Sequence, residues 1–432
     1  KGAAKGKGAA TSPSALLAPS SSPSVPLLAS VPSDSIAWSL DSSSPLQEAR
    51  NKFTLLPQSD GTIWGAKARA NYTINDKQTW MMGAEYNYVK SESRTDYTPA
   101  DKGTSTHSIT KENHAAVFAE YSLDFKPFSL RVGLRYEHVD SRLDYLKDET
   151  ASTEPLHRKY DNLYPSLLLS HQSGRFSQSL SYRSSEIRPS FQELNTGTVY
   201  ANRYMWQIGN SQLEPSQRHE FQYQASYGDL FVQASYTYVK DYITSIIEPD
   251  SDDPQTGYIT WTNIDHCWNW GSFLGYRHRW GFYEPQVQAG IQQGFIKAVS
   301  MGKEKSFHNP YCIFSLYNGF HLPKGWYMNL SFSYRSSGTY DFLTLCSVHN
   351  FDFQLYKSFL KDRLSLSLNV NDIFNTKRQK TDGTYGNVRF QQQKWVDTRS
   401  VQLRLTYRFN QAKKQYRGEN SAQEAVGRMG GK

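Results

Sequence analysis

Apolar and polar residues alternate with a period of two along most of this chain. Leu364, Leu366, Leu368 and Val370 alternate with Ser365, Ser367, Asn369 and Asn371, and Val401, Leu403, Leu405, Tyr407 and Phe409 alternate with Gln402, Arg404, Thr406 and Arg408. Successive side chains of a strand point to opposite faces, so each run reads as a strand with one apolar and one polar face. The pattern recurs upstream, where Leu130, Val132, Leu134 and Tyr136 oppose Arg131, Gly133, Arg135 and Glu137, and Phe221, Tyr223, Ala225 and Tyr227 oppose Glu220, Gln222, Gln224 and Ser226. It predicts strands near 62–74, 78–90, 109–124, 128–143, 159–172, 175–186, 216–228, 229–247, 257–280, 285–299, 309–321, 325–337, 347–360, 363–374 and 386–409. That is about fifteen strands, with no helical period between them.

The connections carry a second pattern. Asn75-Asp76-Lys77, Phe125-Lys126-Pro127, Ser173-Gly174, Gly228-Asp229, Phe282-Tyr283-Glu284, Leu322-Pro323-Lys324 and Lys361-Asp362 are tight turns, whereas 91–108, 144–158, 187–215, 248–256 and 375–385 are long. Short and long connections therefore alternate, as they do in outer-membrane barrels with periplasmic turns and extracellular loops. A soluble sandwich has no reason to segregate loop length by end. The expected fold class is all-β, an antiparallel transmembrane β-barrel with lipid outside and a polar lumen inside, in which the strands satisfy one another's backbone groups.

Composition fits this reading. Only 38% of the 432 residues are hydrophobic, and no run approaches the roughly 20 apolar residues of a spanning helix. The 29 Tyr and 10 Trp raise the aromatic fraction to 14%, which suits aromatic belts at the two membrane interfaces. The net charge of +8 is spread among scattered Lys and Arg without a stripe or known motif, which speaks against a nucleic-acid partner. Cys267, Cys312 and Cys346 are widely spaced and odd in number, the pattern of small apolar residues on strand faces.

Residues 1–60 are rich in Ser, Pro, Ala and Gly and read as a disordered or loop-like segment, 61–409 as the barrel, and 410–432 as a polar, mobile tail. If the short turns are periplasmic, the last strand ends in the periplasm at Phe409 and the first visible strand starts outside the cell. Complete single-chain barrels have an even number of strands. The odd count is thus expected of part of a barrel.

Several motifs together resemble the C-terminal barrel portion of TonB-dependent outer-membrane receptors of the kind abundant in Bacteroidetes. They are Tyr164-Pro165-Ser166, Leu180-Ser181-Tyr182-Arg183, Ile187-Arg188-Pro189-Ser190-Phe191-Gln192-Glu193-Leu194-Asn195, Gly209-Asn210 with Leu213-Glu214-Pro215, Asn371-Asp372-Ile373-Phe374-Asn375, and Tyr407-Arg408-Phe409. The resemblance spans roughly residues 60–410 and implies a barrel of about 22 strands around a plug. It also implies uptake of a scarce nutrient such as a siderophore or glycan. The implied partners are outer-membrane lipid and lipopolysaccharide, the barrel-assembly machinery, and the TonB energy complex acting through a plug for which residues 1–60 have no room. Phe409, a terminal aromatic, is the residue such assembly machinery is expected to read. No cofactor is expected.

Candidate chemistry concentrates in the 187–215 connection, where Arg188, Phe191, Tyr200, Arg203, Tyr204 and Trp206 combine flat apolar surface with cationic donors suited to a glycan or siderophore-like ligand. The same residues also suit interface anchoring and lipopolysaccharide phosphates. Asp250, Asp252 and Asp253 form an acidic loop tip without the spacing of a calcium loop. His266, His278, His308, His321 and His349 stand in no hydrolase motif, so no catalytic activity is expected; a passive porin or a hydrolase remain the alternatives. Asp372 and Asn375 are expected to cap a bend, with Phe374 as an interface anchor.

Overall fold

Period-two segments become long antiparallel strands, and the turns between them fall where the sequence supplies the backbone freedom. Gly228, for example, has φ +60 between two strands, a conformation that glycine adopts without steric cost. In this computed structural model the described residues are 54–98, 105–147, 155–202, 204–250, 256–300, 303–360, 362–377, 379–385, 388–394, 397–409 and 428.

The wall begins with β1 (Thr54–Asn75), β2 (Gln78–Thr98), β3 (Thr106–Phe125), β4 (Phe128–Lys147), β5 (Leu156–Ser173) and β6 (Phe176–Ile187). A connection follows that holds a one-turn helix, α1 (Phe191–Leu194), and two short strands, β7 (Thr198–Asn202) and β8 (Met205–Ile208). The wall resumes with β9 (Ser216–Tyr227), β10 (Leu230–Pro249), β11 (Gly257–Arg277) and β12 (Tyr283–Ser300), then, after β13 (Lys303–Phe307), with β14 (Tyr311–Leu322) and β15 (Trp326–Arg335). A small hairpin, β16 (Gly338–Tyr340) and β17 (Leu343–Leu345), precedes β18 (Val348–Phe359) and β19 (Leu364–Asn371); β20 (Gln379–Tyr385) and β21 (Val388–Lys394) precede the closing β22 (Ser400–Tyr407).

Eighteen strands share one sheet, while β16, β17, β20 and β21 form a second sheet of four. Setting aside β7, β8 and β13, the large sheet is an antiparallel meander of fifteen wall strands in chain order. Among the described residues β1 pairs with β2 alone and β22 with β19 alone.

Three expectations change. The first strand starts at Thr54 because its upper half is held in register by β2, with Thr54 opposite Thr98, although its own sequence does not alternate there. The segment 386–409 is two strands, since Gln391-Gln392-Gln393 breaks the alternation and β21 joins β20 instead of the wall. A helix exists after all, one turn of it, at α1. The readings of 1–53 as disordered and of 410–427 and 429–432 as mobile lie outside the described residues.

The two faces of the wall differ as lipid and lumen require. On β3 the buried residues are Thr106, Ser108, Thr110, Glu112, His114 and Ala116, all on the inner face. The outer face exposes Met82, Val117, Val132, Leu134 and Leu163, a contiguous apolar surface that matches hydrocarbon. Aromatic rings run around it from strand to strand: Tyr182–Phe221 at 4.7 Å, Phe221–Tyr236 at 6.3 Å, Tyr236–Trp268 at 6.4 Å and Trp268–Phe295 at 5.4 Å. At the short-turn end Phe125, Phe128, His171 and Phe176 form a second series.

Candidate functional site

The connection 187–215 folds inward, and its sequence explains how. Pro189 has no N–H to give to a ladder, and β6 ends just before it at Ile187. Ser190-Phe191-Gln192-Glu193 is then a capping box: Ser190 Oγ accepts from Glu193 N (3.2 Å) while Glu193 Oε2 accepts from Ser190 N (2.7 Å). This turn places Phe191 and Leu194 on one side, where they pack with Val89 of β2 and with Leu213, which has no exposed surface. Gly209 must be glycine here, because a Cβ would collide with the Asn195 carbonyl that accepts its N–H at 2.9 Å.

The return arm is tied to the wall by polar contacts. Arg158 of β5 donates to the carbonyls of Ser211 (2.6 Å) and Leu213. Asn210 Nδ2 donates to the Trp261 carbonyl (2.9 Å), Asn263 Nδ2 to the Glu214 carbonyl (2.9 Å), and Ser216 Oγ to the Asp241 carbonyl (2.8 Å). The strand β8 lies parallel to β11, with Met205 opposite Gly257 and Gln207 opposite Ile259.

Beneath this connection lies a buried charge cluster. Arg188 Nη1 is 2.8 Å from Glu112 Oε1, and its Nε is 3.7 Å from Glu186 Oε1; all three side chains are at most 6% exposed. Glu186 Oε2 also accepts from Asn162 Nδ2 and Tyr164 Oη, each at 2.6 Å. Arg428 joins from the C-terminal segment, with Nη1 2.6 Å from Glu112 Oε1 and Nε donating to the Pro189 carbonyl at 3.1 Å. Pattern reading missed Glu112, Glu186 and Arg428. The signal present was charge on the inner face of predicted strands, but partners 76 and 316 residues apart in sequence leave no local mark.

The six candidates of this connection divide into groups. Arg188 and Phe191 are buried against internal partners. Tyr200 and Tyr204 are exposed, Trp206 is half-buried, and Trp206 meets Tyr200 edge-on at 5.4 Å and Tyr97 at 6.4 Å. The Tyr200 and Trp206 rings make a platform at the long-loop end. Arg203 lies outside the described residues, as do Asp252 and Asp253; Asp250 accepts from Thr256 Oγ1 (3.3 Å) and Tyr258 Oη (3.2 Å). Phe409 is exposed past the end of β22 and stacks on Tyr407 at 6.2 Å.

A second connection also turns inward. At the tip of the β16–β17 hairpin, Phe342 enters an apolar cluster with Val239, Ile246, Cys267, Ile296 and Phe307. Its neighbour Asp341, at φ 54, has both carboxylate oxygens 3.4 Å from Thr244 Oγ1. Burial pushes the Asp341 carboxyl up to about 6. At the outer end of β19 Asp372 is buried, which pushes its carboxyl up, but donors from Thr398 Oγ1 and the Thr376 and Lys377 amides outweigh this and hold it below its usual range. Asp372 and Asn375 have φ 48 and 55, and the exposed Phe374 meets Phe351 edge-on, so the motif caps a bend.

Two of the five histidines have carboxylate partners, His278 with Asp229 (2.7 Å) and His321 with Glu284 (2.8 Å), both at the short-turn end. Glu284 is shared with Arg277, so His321 is part of an ion-pair network. Among the described residues no group of three or more His, Cys, Asp and Glu is arranged to hold a metal.

An apolar outer face with aromatic girdles, a polar inner face and long connections gathered at one end define an outer-membrane β-barrel protein. A family model described as the outer membrane protein beta-barrel family matches residues 38–407, and the chain belongs to that family, whose place is the bacterial outer membrane. A search of curated proteins finds no sequence match. Among solved structures the FrpB iron transporter from Neisseria meningitidis is 16% identical with a TM-score of 0.51, covering 81% of this chain and 55% of its own. The siderophore receptor PiuA from Acinetobacter baumannii is 13% identical with a TM-score of 0.56, covering 81% and 56%. The copper transporter OprC is 14% identical with a TM-score of 0.58, covering 82% and 58%. The chain thus spans somewhat over half the length of these structures, and the resemblance to TonB-dependent receptor barrels holds at the level of fold.

Proposed function

We propose that this wall belongs to a TonB-dependent receptor that takes up a scarce nutrient, a metal chelate or glycan, across the outer membrane. The observation that carries this reading is the inward-folded 187–215 connection, pinned from below and presenting Tyr200, Tyr204 and Trp206 at the long-loop end. Flat rings held by a rigid scaffold offer stacking surface to a planar chelate or a sugar ring, and Arg203 supplies a cation for an anionic ligand. The structural neighbours named as iron, siderophore and copper proteins support the same class of cargo. Gating and contact with the energy complex belong, in this reading, to a plug rather than to any described residue. Lipopolysaccharide headgroups meet the polar outer surface above the girdle, where Lys111 and Arg142 lie.

The test is equilibrium binding of ferric siderophores and oligosaccharides to the detergent-solubilised chain, read by tryptophan fluorescence. Trp206→Ala and Tyr200→Ala should each weaken binding about tenfold. Unchanged affinity in both variants would overturn the site. A passive pore is the second reading, favoured by the hairpin tip that packs inward against the wall at Phe342. Steady ion conductance in planar bilayers, without saturable ligand binding, would establish it in place of the first.

A further inference from the structure

Arg428 is bound by three different groups at once. Its Nη1 lies 2.6 Å from Glu112 Oε1, its Nε donates to the Pro189 carbonyl at 3.1 Å, and its guanidinium carbon sits 4.7 Å from the centre of the Phe191 ring. Carboxylate and carbonyl take the edges of the planar cation and the ring takes its face, the combination that distinguishes guanidinium from a point-charge ammonium. The site is closed to solvent: the Glu112 side chain is 4% exposed and that of Arg428 10%.

Charge balance gives the cation a reason to be there. Glu112 and Glu186 share the single guanidinium of Arg188. Nearby on the inner face, Arg135 bridges Glu85 and Glu137, and His114 Nε2 lies 3.0 Å from Glu137 Oε2, so these groups are already engaged with one another. Without Arg428 one carboxylate would remain buried and uncompensated, a strongly unfavourable arrangement.

We propose that Glu112, the Pro189 carbonyl and the Phe191 ring form a guanidinium-binding socket in the barrel lumen, and that it retains the chain's own C-terminal segment through Arg428. The segment has the reach. From Phe409 to Arg428 there are 19 residue steps, which extend to at most about 65 Å. From the short-turn end of β3 at Phe125 up to Glu112 there are 13, about 43 Å of strand. Once Arg428 is anchored, the socket and the 187–215 connection hold each other, since Pro189 and Phe191 belong to both.

Limited digestion of the full chain in detergent with a glutamyl endopeptidase, followed at Glu419 and Glu424, tests this. The expected result is slow cleavage in the unmodified chain and cleavage about tenfold faster or more in Arg428→Ala and in Arg428→Lys. Glu112→Gln should release the segment equally, with circular dichroism and unheated gel mobility confirming that the wall still forms. Equal cleavage rates in the unmodified chain and Arg428→Ala would overturn retention. Full protection in Arg428→Lys would overturn the guanidinium socket, because any cation would then serve.

Discussion

Two connections fold inward from the long-loop end, and they are secured by opposite means. The 187–215 connection sits on paired charges, with Glu112 and Glu186 met by Arg188 and Arg428, and its apolar anchors Phe191, Leu194 and Leu213 pack beside them. The β16–β17 tip carries a single buried carboxylate, Asp341, which accepts from the Thr244 hydroxyl and the Phe342 amide, on an apolar bed around Phe342. A neutralised cluster keeps its hold while its members stay ionised. A lone buried acid makes docking depend on its proton.

The largest effect should come from removing an anchor of the first connection. Leu213→Ala deletes a side chain with no exposed surface and should destabilise by roughly 2–5 kcal/mol. Hydrogen exchange across 188–213 should accelerate accordingly while 338–345 stays unchanged; equal acceleration in both would show that the two connections are one cooperative unit.

The next effect is pH-dependent. The Asp341 carboxyl is raised from its model-compound value of 3.8 to about 6, so the docked tip binds a proton more tightly than the released tip. Docking is therefore strongest below about pH 4 and weakens as pH rises towards about 6, by roughly 3 kcal/mol in all. Tyr340, Tyr242, Cys267 and Arg218 are the other titratable groups facing this region. Exchange of 338–345, corrected for its intrinsic rate, should be faster at pH 7.5 than at pH 5, and Asp341→Asn should abolish the difference. If the 187–215 connection responds to pH as strongly, the contrast fails.

The smallest effect concerns local structure. Ser190→Ala removes half of the capping box at α1 and should cost about 1 kcal/mol, seen as faster exchange at Gln192–Leu194 with the wall unaffected.

The wall was legible in the sequence because period two is a local property. Each of Leu130 to Glu137 shows its face through its immediate neighbours, and tight turns such as Gly228-Asp229 mark the strand ends. The inward connections were less so. Ser190-Phe191-Gln192-Glu193 is a capping box in plain view, yet nothing local says that Phe191 is buried, since Val89 lies about a hundred residues away. Likewise the 338–345 segment holds Phe342, an apolar residue in a connection, but its bed is made by β10 to β13. Aromatic density is visible directly, although the sequence could not separate Tyr200 and Tyr204, which are exposed, from Arg188 and Phe191, which are buried.

The parallel pairing of β8 with β11 has a mechanical consequence. The Tyr204 carbonyl accepts from Gly257 N at 2.9 Å, and Trp206 stands opposite Tyr258. The ring platform is therefore stitched by backbone to the top of the β10–β11 hairpin, and neither can lift without unpicking the seam of the other. A molecule that tugs on Trp206 pulls at the same time on the rim of the wall, so contact at the mouth is transmitted as strain along two of its longest strands.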